Sequence, residues 1–262
     1  MEVRNSRNRW LVDEFSDREK PNWPCPTCGN GLLHVIEKGV IKDRTSTVKA
    51  ESEAYLRSSL FYDEYTYAAM MNCSNSNCKE SVVVSGNATY KTWRDSDNYQ
   101  NAELVYGVNY FYPPLRIFKM TKSCPDEIRN QIYLSFSHYF HDLKACANAI
   151  RTALELIMNQ KKINIAYITR NRKRRKYSLH QRIELFSRQY PDLNNFLFAA
   201  KWIGNAGSHN DTVTKNDLLD GYELLEHTIE ELYEKHARMK ELRLKAKTIN
   251  KTKKPISKSK KK

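Results

Sequence analysis

Four cysteines near the front of the chain fall into two close pairs, and their spacing constrains the fold more than any other feature. Cys25-Pro26-Thr27-Cys28-Gly29 sets two thiols three positions apart, with a glycine where the backbone must turn beneath a metal, and Cys73 and Cys78 form a second pair. Zinc bound by four thiolates needs such a set, and two knuckles on adjacent hairpins supply it with no open position for water. The pattern reads as a structural zinc ribbon with Cys25, Cys28, Cys73 and Cys78 as ligands. A catalytic zinc is disfavoured, because no histidine or open-position ligand accompanies the thiols. The set departs from compact zinc spacings in two ways: four residues lie between Cys73 and Cys78, and 44 between Cys28 and Cys73. Disulfides are the competing use, one that a cytosolic chain disfavours. Cys124 and Cys146 read as small buried thiols.

Around the knuckles the apolar period is near two. Residues 32–36, 65–71, 81–84 and 104–106 read as short strands, and the polar stretch from about 40 to 60 reads as a long loop. After Pro113-Pro114 the period lengthens. Ser123-Cys124-Pro125-Asp126 predicts a helix start capped by Ser123. Ile132, Phe136, Tyr139, Phe140, Leu143, Ala147, Ile150, Leu154 and Ile157 then form the stripe of one long helix. Beside it run Lys144, Asn148, Arg151 and Glu155; the last two read as an i,i+4 pair, either solvated or buried. Ser178 to Gln181 predicts a capping box opening a second helix, with Ile183 and Phe186 facing inward. Asp192 predicts the cap of a third helix, with Leu193, Phe196, Leu197, Ala200 and Ile203 inward and Gly204 at its end. Thr214 to Asp217 caps the last, whose stripe is Leu218, Tyr222, Leu225, Ile229, Leu232 and Tyr233. The fold class is α+β: a zinc-ribbon-like β domain over residues 1–112, an antiparallel four-helix bundle over 113–237, and a disordered Lys-rich tail over 238–262.

The charge is local. Of a net +14, residues 238–262 hold twelve basic residues and one acidic, leaving only +3 on the first 237. Arg170, Arg172, Lys173, Arg174, Arg175 and Lys176 fill six of seven consecutive positions, so the remaining body is slightly acidic. Two basic strips on a near-neutral body suit a phosphate backbone, which they bind by releasing condensed counterions. A solvated loop and a solubilising tail are the plainer alternative. No run of about 18 apolar residues occurs, and the first residues lack the apolar core of a signal peptide. The expectation is a cytoplasmic protein with no membrane partner.

One family fits this order of motifs. The Pro-Cys-Pro-x-Cys-Gly knuckle, the second cysteine pair, Ala149-Ile150-Arg151-Thr152-Ala153-Leu154-Glu155 and Trp202-Ile203-Gly204-Asn205-Ala206-Gly207-Ser208-His209 together resemble a bacterial domain-of-unknown-function family of the HEPN superfamily, over roughly residues 20 to 236. The resemblance implies a HEPN-like bundle, a homodimer, and a setting in bacterial phage defence or restriction, where a larger defence or restriction enzyme is the partner. It also implies a chemistry. HEPN ribonucleases cut RNA without metal, using a histidine to move protons and an arginine, four to six residues before it, to stabilise charge on phosphate. His209 is the implied acid or base. No arginine occupies the required window, so Asn205, Lys201 eight positions earlier, and Arg151 with Glu155 are the candidate helpers. Lysine lacks the planar guanidinium fork. A literal Arg-x4-His runs from Arg175 to His180, in a stretch so rich in arginine that a chance match is expected.

Three functions compete. The leading one is a nucleic-acid-binding accessory protein, for RNA or DNA, with structural zinc and nothing required of His209, which then only hydrogen-bonds its loop, as Asn205 only tolerates a left-handed turn. The second is a metal-independent endoribonuclease using His209. The third is a dimeric adaptor that engages protein.

Overall fold

In a computed structural model the chain is described over residues 2–55, 63–206 and 212–253. Its contacts divide it into two compact units interleaved along the sequence: residues 1–117, 133–149 and 205–219 make one, and 118–132, 150–204 and 220–262 the other. The architecture is mixed α and β, with the sheet in the N-terminal part and helices in the C-terminal part.

In the first unit, helix α1 (Glu2–Leu11) and strand β1 (Glu14–Phe15) precede β2 (Leu33–Arg44), α2 (Ser46–Tyr55), β3 (Glu64–Cys73), β4 (Ser81–Arg94) and β5 (Gln100–Tyr112). The strands pair antiparallel in the order β1-β5-β4-β3-β2. Alternation decides which face is buried: Tyr67, Ala69, Met71 and Cys73 on β3, and Val82, Val84 and Ala88 on β4, point to one side. Trp23 fills that side, its ring edge-on to Phe15, Phe111 and Phe140 at 6.2, 5.0 and 6.1 Å. Register shifts between Val35 and Val40 on β2, and between Ser85 and Gly86 on β4, add local twist. The sheet curls, so that its two edge strands, β1 and β2, line a common cavity.

Each expected strand is present and longer than its apolar core implied. The loop expected over residues 40–60 is instead the end of β2 followed by α2, up to residue 55. Polar alternation on an exposed strand face carries little apolar signal, which is why this stretch resembled a loop.

The expected single helix is two. Helix α3 (Asp126–His138) stops, and α4 (Leu143–Gln160) restarts. Asp142 makes the break: its amide donates to the His138 carbonyl, and its carboxylate accepts the Ala145 amide at 2.9 Å as an N-cap. The Tyr139 hydroxyl, at the break, donates to the Trp10 carbonyl at 3.1 Å. Ser123 is not the cap; α3 begins three residues later, with Asp126 and Glu127 in its first turn.

In the second unit Ser178 and Gln181 form the reciprocal capping box of α5 (Leu179–Ser187), and Ile183 and Phe186 are fully buried. A short 3-10 turn over Pro191–Leu193 leads into α6 (Asn194–Ala206), without a side-chain cap from Asp192. Gly204 lies inside α6, where an added Cβ would come within 2.9 Å of the Arg151 Cβ on α4. That glycine is kept for close helix packing, not to end the helix. Helix α7 (Lys215–Ile229) places Gly221 against Ile203 of α6 and Ile150 of α4. At its head, among residues of the first unit, the Thr214 amide and hydroxyl donate to Asp217, whose amide returns a bond to the Thr214 hydroxyl. All six residues of the expected last stripe are buried. A π-helical turn (Glu230–Lys235) continues into α8 (His236–Thr252). Where a disordered tail was expected from residue 238, the chain is helical to 252; residues 254–262 lie outside the described residues. No described helix is long and apolar enough to cross a membrane.

Candidate functional site

The four cysteines of the first unit converge. A bridge between Pro24 and Leu32 closes the first knuckle, the Cys25 amide donates to the Gly31 carbonyl at 2.8 Å, and Gly29 turns the chain at φ +70°. The second knuckle is the β3–β4 turn, held by Cys73 N–H to the Glu80 carbonyl and Cys78 N–H to the Asn75 carbonyl, each 2.9 Å. Leu32 and Ser74 stitch the two together: the Ser74 amide donates to the Leu32 carbonyl and the Leu32 amide to the Ser74 hydroxyl, both at 2.9 Å. The long gap between the pairs is explained by β2 and β3. One runs out and the other returns, with Leu33 opposite Cys73.

All four Sγ atoms lie within 4.8 Å of one another. Cys25 is 3.8 Å from Cys78, and Cys28 is 3.6 Å from Cys73. A disulfide would need about 2.05 Å. A tetrahedron of metal–sulfur bonds near 2.3 Å has edges of about 3.8 Å, so the donors fit a closed four-thiolate metal site. Backbone amides point at the sulfurs: Gly31 donates to Cys28 at 3.3 Å and Asn75 to Cys73 at 3.4 Å. The Gly31 and Asn30 amides bring the Cys28 thiol down to about 6, whereas burial pushes the Cys73 thiol up to about 12. A cation would draw all four toward thiolate, since the thiolate is the ligand. Cys124 and Cys146 are buried and outside this set, and burial moves Cys124 up to about 11.

The basic block of the second unit is not a plain loop. Strands β6 (Ala166–Ile168) and β7 (Arg174–Lys176) pair as a hairpin. Its turn is fixed by Thr169 N–H to the Lys173 carbonyl at 2.9 Å and Arg172 N–H to the Thr169 carbonyl at 2.8 Å, with Arg172 itself at φ +54°. Arg170, Arg172, Lys173, Arg174, Arg175 and Lys176 are all exposed. The basic residues of α8 (Arg238, Lys240, Arg243, Lys245, Lys247 and Lys251) are exposed as well.

Three of the implied catalytic residues are brought together in this unit. Arg151 Nε lies 3.7 Å from Glu155 Oε1 along α4, both side chains half-exposed. Lys201 on α6 is only 6% exposed. Burial lowers its pKa, and the charge of Arg151 lowers it further. Asn205 is half-buried near the end of α6. His209 lies outside the described residues. The structure adds a histidine that the sequence reading set aside: His180 Nδ1 is 3.2 Å from Lys201 Nζ, and its Nε2 is 3.6 Å from Glu184 Oε1. The same ammonium sits 3.5 Å from the ring centre of Trp202, which is 59% exposed. The capping box had placed His180 in the first turn of α5, but nothing in the sequence pairs α5 with α6.

Comparison with known families finds a match in each of two successive parts of the chain. Residues 13–115, from β1 to just past β5, match the model of a family described as a domain of unknown function (DUF8608). Residues 135–252 match another, also described as a domain of unknown function (DUF4145). The chain resembles two families, one in each part. The DUF4145 match runs to the last residue of α8, so that basic helix falls within the family pattern and is not an appendage to it. No curated protein and no solved structure matches the chain.

Proposed function

We propose that this is a nucleic-acid-binding protein whose N-terminal part is held by structural zinc. The observation that carries the reading is the β6–β7 hairpin: six cations on an ordered two-stranded arm, all exposed. An ordered arm holds its charges at fixed spacing, so binding a phosphate backbone costs less ordering entropy than it would for a mobile loop. Helix α8 adds a second run of exposed cations. Zinc, rather than another cation, is the natural occupant of the cysteine site, because four thiolates at tetrahedral spacing suit it and leave no open position for chemistry. The accessory role in phage defence or restriction and the dimeric state belong to this proposal through the HEPN resemblance, and the cytoplasmic setting is part of the same proposal.

The test is binding of fluorescent single-stranded RNA and DNA across a salt series. Replacing the six cations of residues 170–176 by glutamine is expected to weaken binding and flatten the slope of log K against log salt by about 0.7 per lost contact on single strands. A protein interface would hardly respond to salt. Unchanged slope in the variant would overturn the reading.

Metal-independent RNA cleavage is a second reading, favoured by the His180–Lys201 contact beside Arg151. A histidine near neutral pH and convergent cations are the parts that such a reaction needs. Cleavage by the zinc-loaded protein with no added divalent metal, lost in His209→Ala or His180→Ala, would support it; no cleavage with binding retained would exclude it.

A further inference from the structure

Helix α6 carries an aromatic face that neither the cysteine site nor the hairpin accounts for. Phe198, Lys201 and Trp202 stand at i, i+3 and i+4, so they share one side of the helix. Trp202 is 59% exposed, although burial of so large a ring is strongly favourable.

Its neighbours hold it there. The Lys201 ammonium lies 3.5 Å from the centre of the Trp202 ring and occupies one face of it, which leaves the exposed area on the other face and the edges. His180, on α5, accepts an ammonium proton on Nδ1 at 3.2 Å, because an ammonium can only donate. The His180 ring packs on Phe198 at 4.7 Å and stands 6.4 Å from Trp202. Lys201 is 6% exposed, and among the described residues it has no acidic partner within ion-pair distance. A buried cation without a carboxylate leaves this face attractive to an anion.

The same face lies at the foot of the basic hairpin. Lys176 ends β7, and His180 follows four residues later, a reach of at most about 14 Å. A polynucleotide whose phosphates sit on the hairpin can therefore reach Trp202 within a few nucleotides. A duplex keeps its bases stacked on one another and offers no free ring, whereas a single strand can turn a base out onto an aromatic surface.

We propose that Trp202 is a base-stacking site for single-stranded nucleic acid, its inner face braced by Lys201 and His180 and its outer face taking one unpaired base. This rests on the reading that the hairpin holds the phosphate backbone, and adds to it a preference for unpaired strands over duplex.

The test is fluorescence anisotropy of short labelled oligouridine, oligothymidine and a duplex of equal length, titrated with the full-length protein across a salt series. Trp202→Ala is expected to weaken single-strand binding by about five- to a hundredfold, and to leave duplex binding and the salt slope unchanged, because stacking releases no counterions. Trp202→Phe, which keeps a smaller ring, should recover most of that loss. Tryptophan fluorescence of the unaltered protein should fall as either oligomer saturates, and that fall should be absent in Trp202→Phe; this readout needs no truncated side chain. Loss on only one of the oligomers would identify RNA or DNA as the ligand, and loss on both a strand of either sugar. Undiminished single-strand binding by Trp202→Ala, an equal loss on strand and duplex, or quenching that survives in Trp202→Phe would overturn the proposal. Failure of the hairpin reading looks different: the glutamine variant of residues 170–176 would keep full affinity and slope while Trp202→Ala still separates strand from duplex.

Discussion

Gly31 sets the tightest tolerance in the four-cysteine site. A Cβ on it would fall 2.3 Å from the Cys73 sulfur, so the backbone must move if any side chain is added. Gly31→Ala is expected to cost about 1–3 kcal/mol of stability and to loosen the metal, read by urea denaturation together with zinc content. Glu226 carries the clearest pH dependence: burial, then the charges of Glu230 and Glu223, raise its carboxyl from 4.5 to about 7. The folded chain therefore holds a proton that the unfolded chain has lost between those values. Stability contributed by this group is full below pH 4.5, falls as pH rises, and is gone above about 7. Glu226→Gln should stabilise the protein by about 1–2 kcal/mol at pH 8, after allowing for solvent screening, and by nothing near pH 4. Thermal melts at both values check this. At this scale the sequence showed the cysteine set and the capping residues Ser178 and Thr214, because spacing alone defines them. It did not show the burial of Lys201 or the role of Gly204, since both depend on which helix packs against α6.

Elements were legible where one period dominated. The strands and the last helix stood out because an apolar face repeats every second residue in the one and every three to four in the other. The break between α3 and α4 did not, since the apolar stripe continues through Tyr139 and Phe140 while Asp142 restarts the backbone. The hairpin was hidden for a related reason: six cations outweigh the strand signal of Tyr167 and Ile168, although Tyr167 and Tyr177 meet at 4.6 Å. Helix α5 follows the hairpin directly and positions His180, so its cap matters to both. Ser178→Ala removes the side-chain half of the capping box and is expected to cost about 1 kcal/mol, with the loss of helix content followed by circular dichroism.

Across the molecule, two units interleave in sequence while the family matches divide it near residues 115 and 135. Linear reading finds the second kind of boundary, at a change of period, and misses the first, because only folding shows which segments of α4 and α6 join which unit. If the four-cysteine site holds the proposed zinc, removing it should act on the first unit, whose two cysteine knuckles hold the ends of β2 and β3. Chelation, or Cys25→Ser, is expected to release zinc and unfold that unit, because ligand and fold form together. Metal analysis and amide exchange follow it, and an unchanged melt after complete chelation would oppose a structural role.

The central claim is that the ordered basic hairpin binds a phosphate backbone. The most direct measurement is the salt dependence of RNA and DNA binding for the full-length protein and for the variant with the six cations of residues 170–176 replaced by glutamine. A steep slope that flattens in a folded variant is the expected result. Equal affinity and equal slope in the two proteins would contradict it.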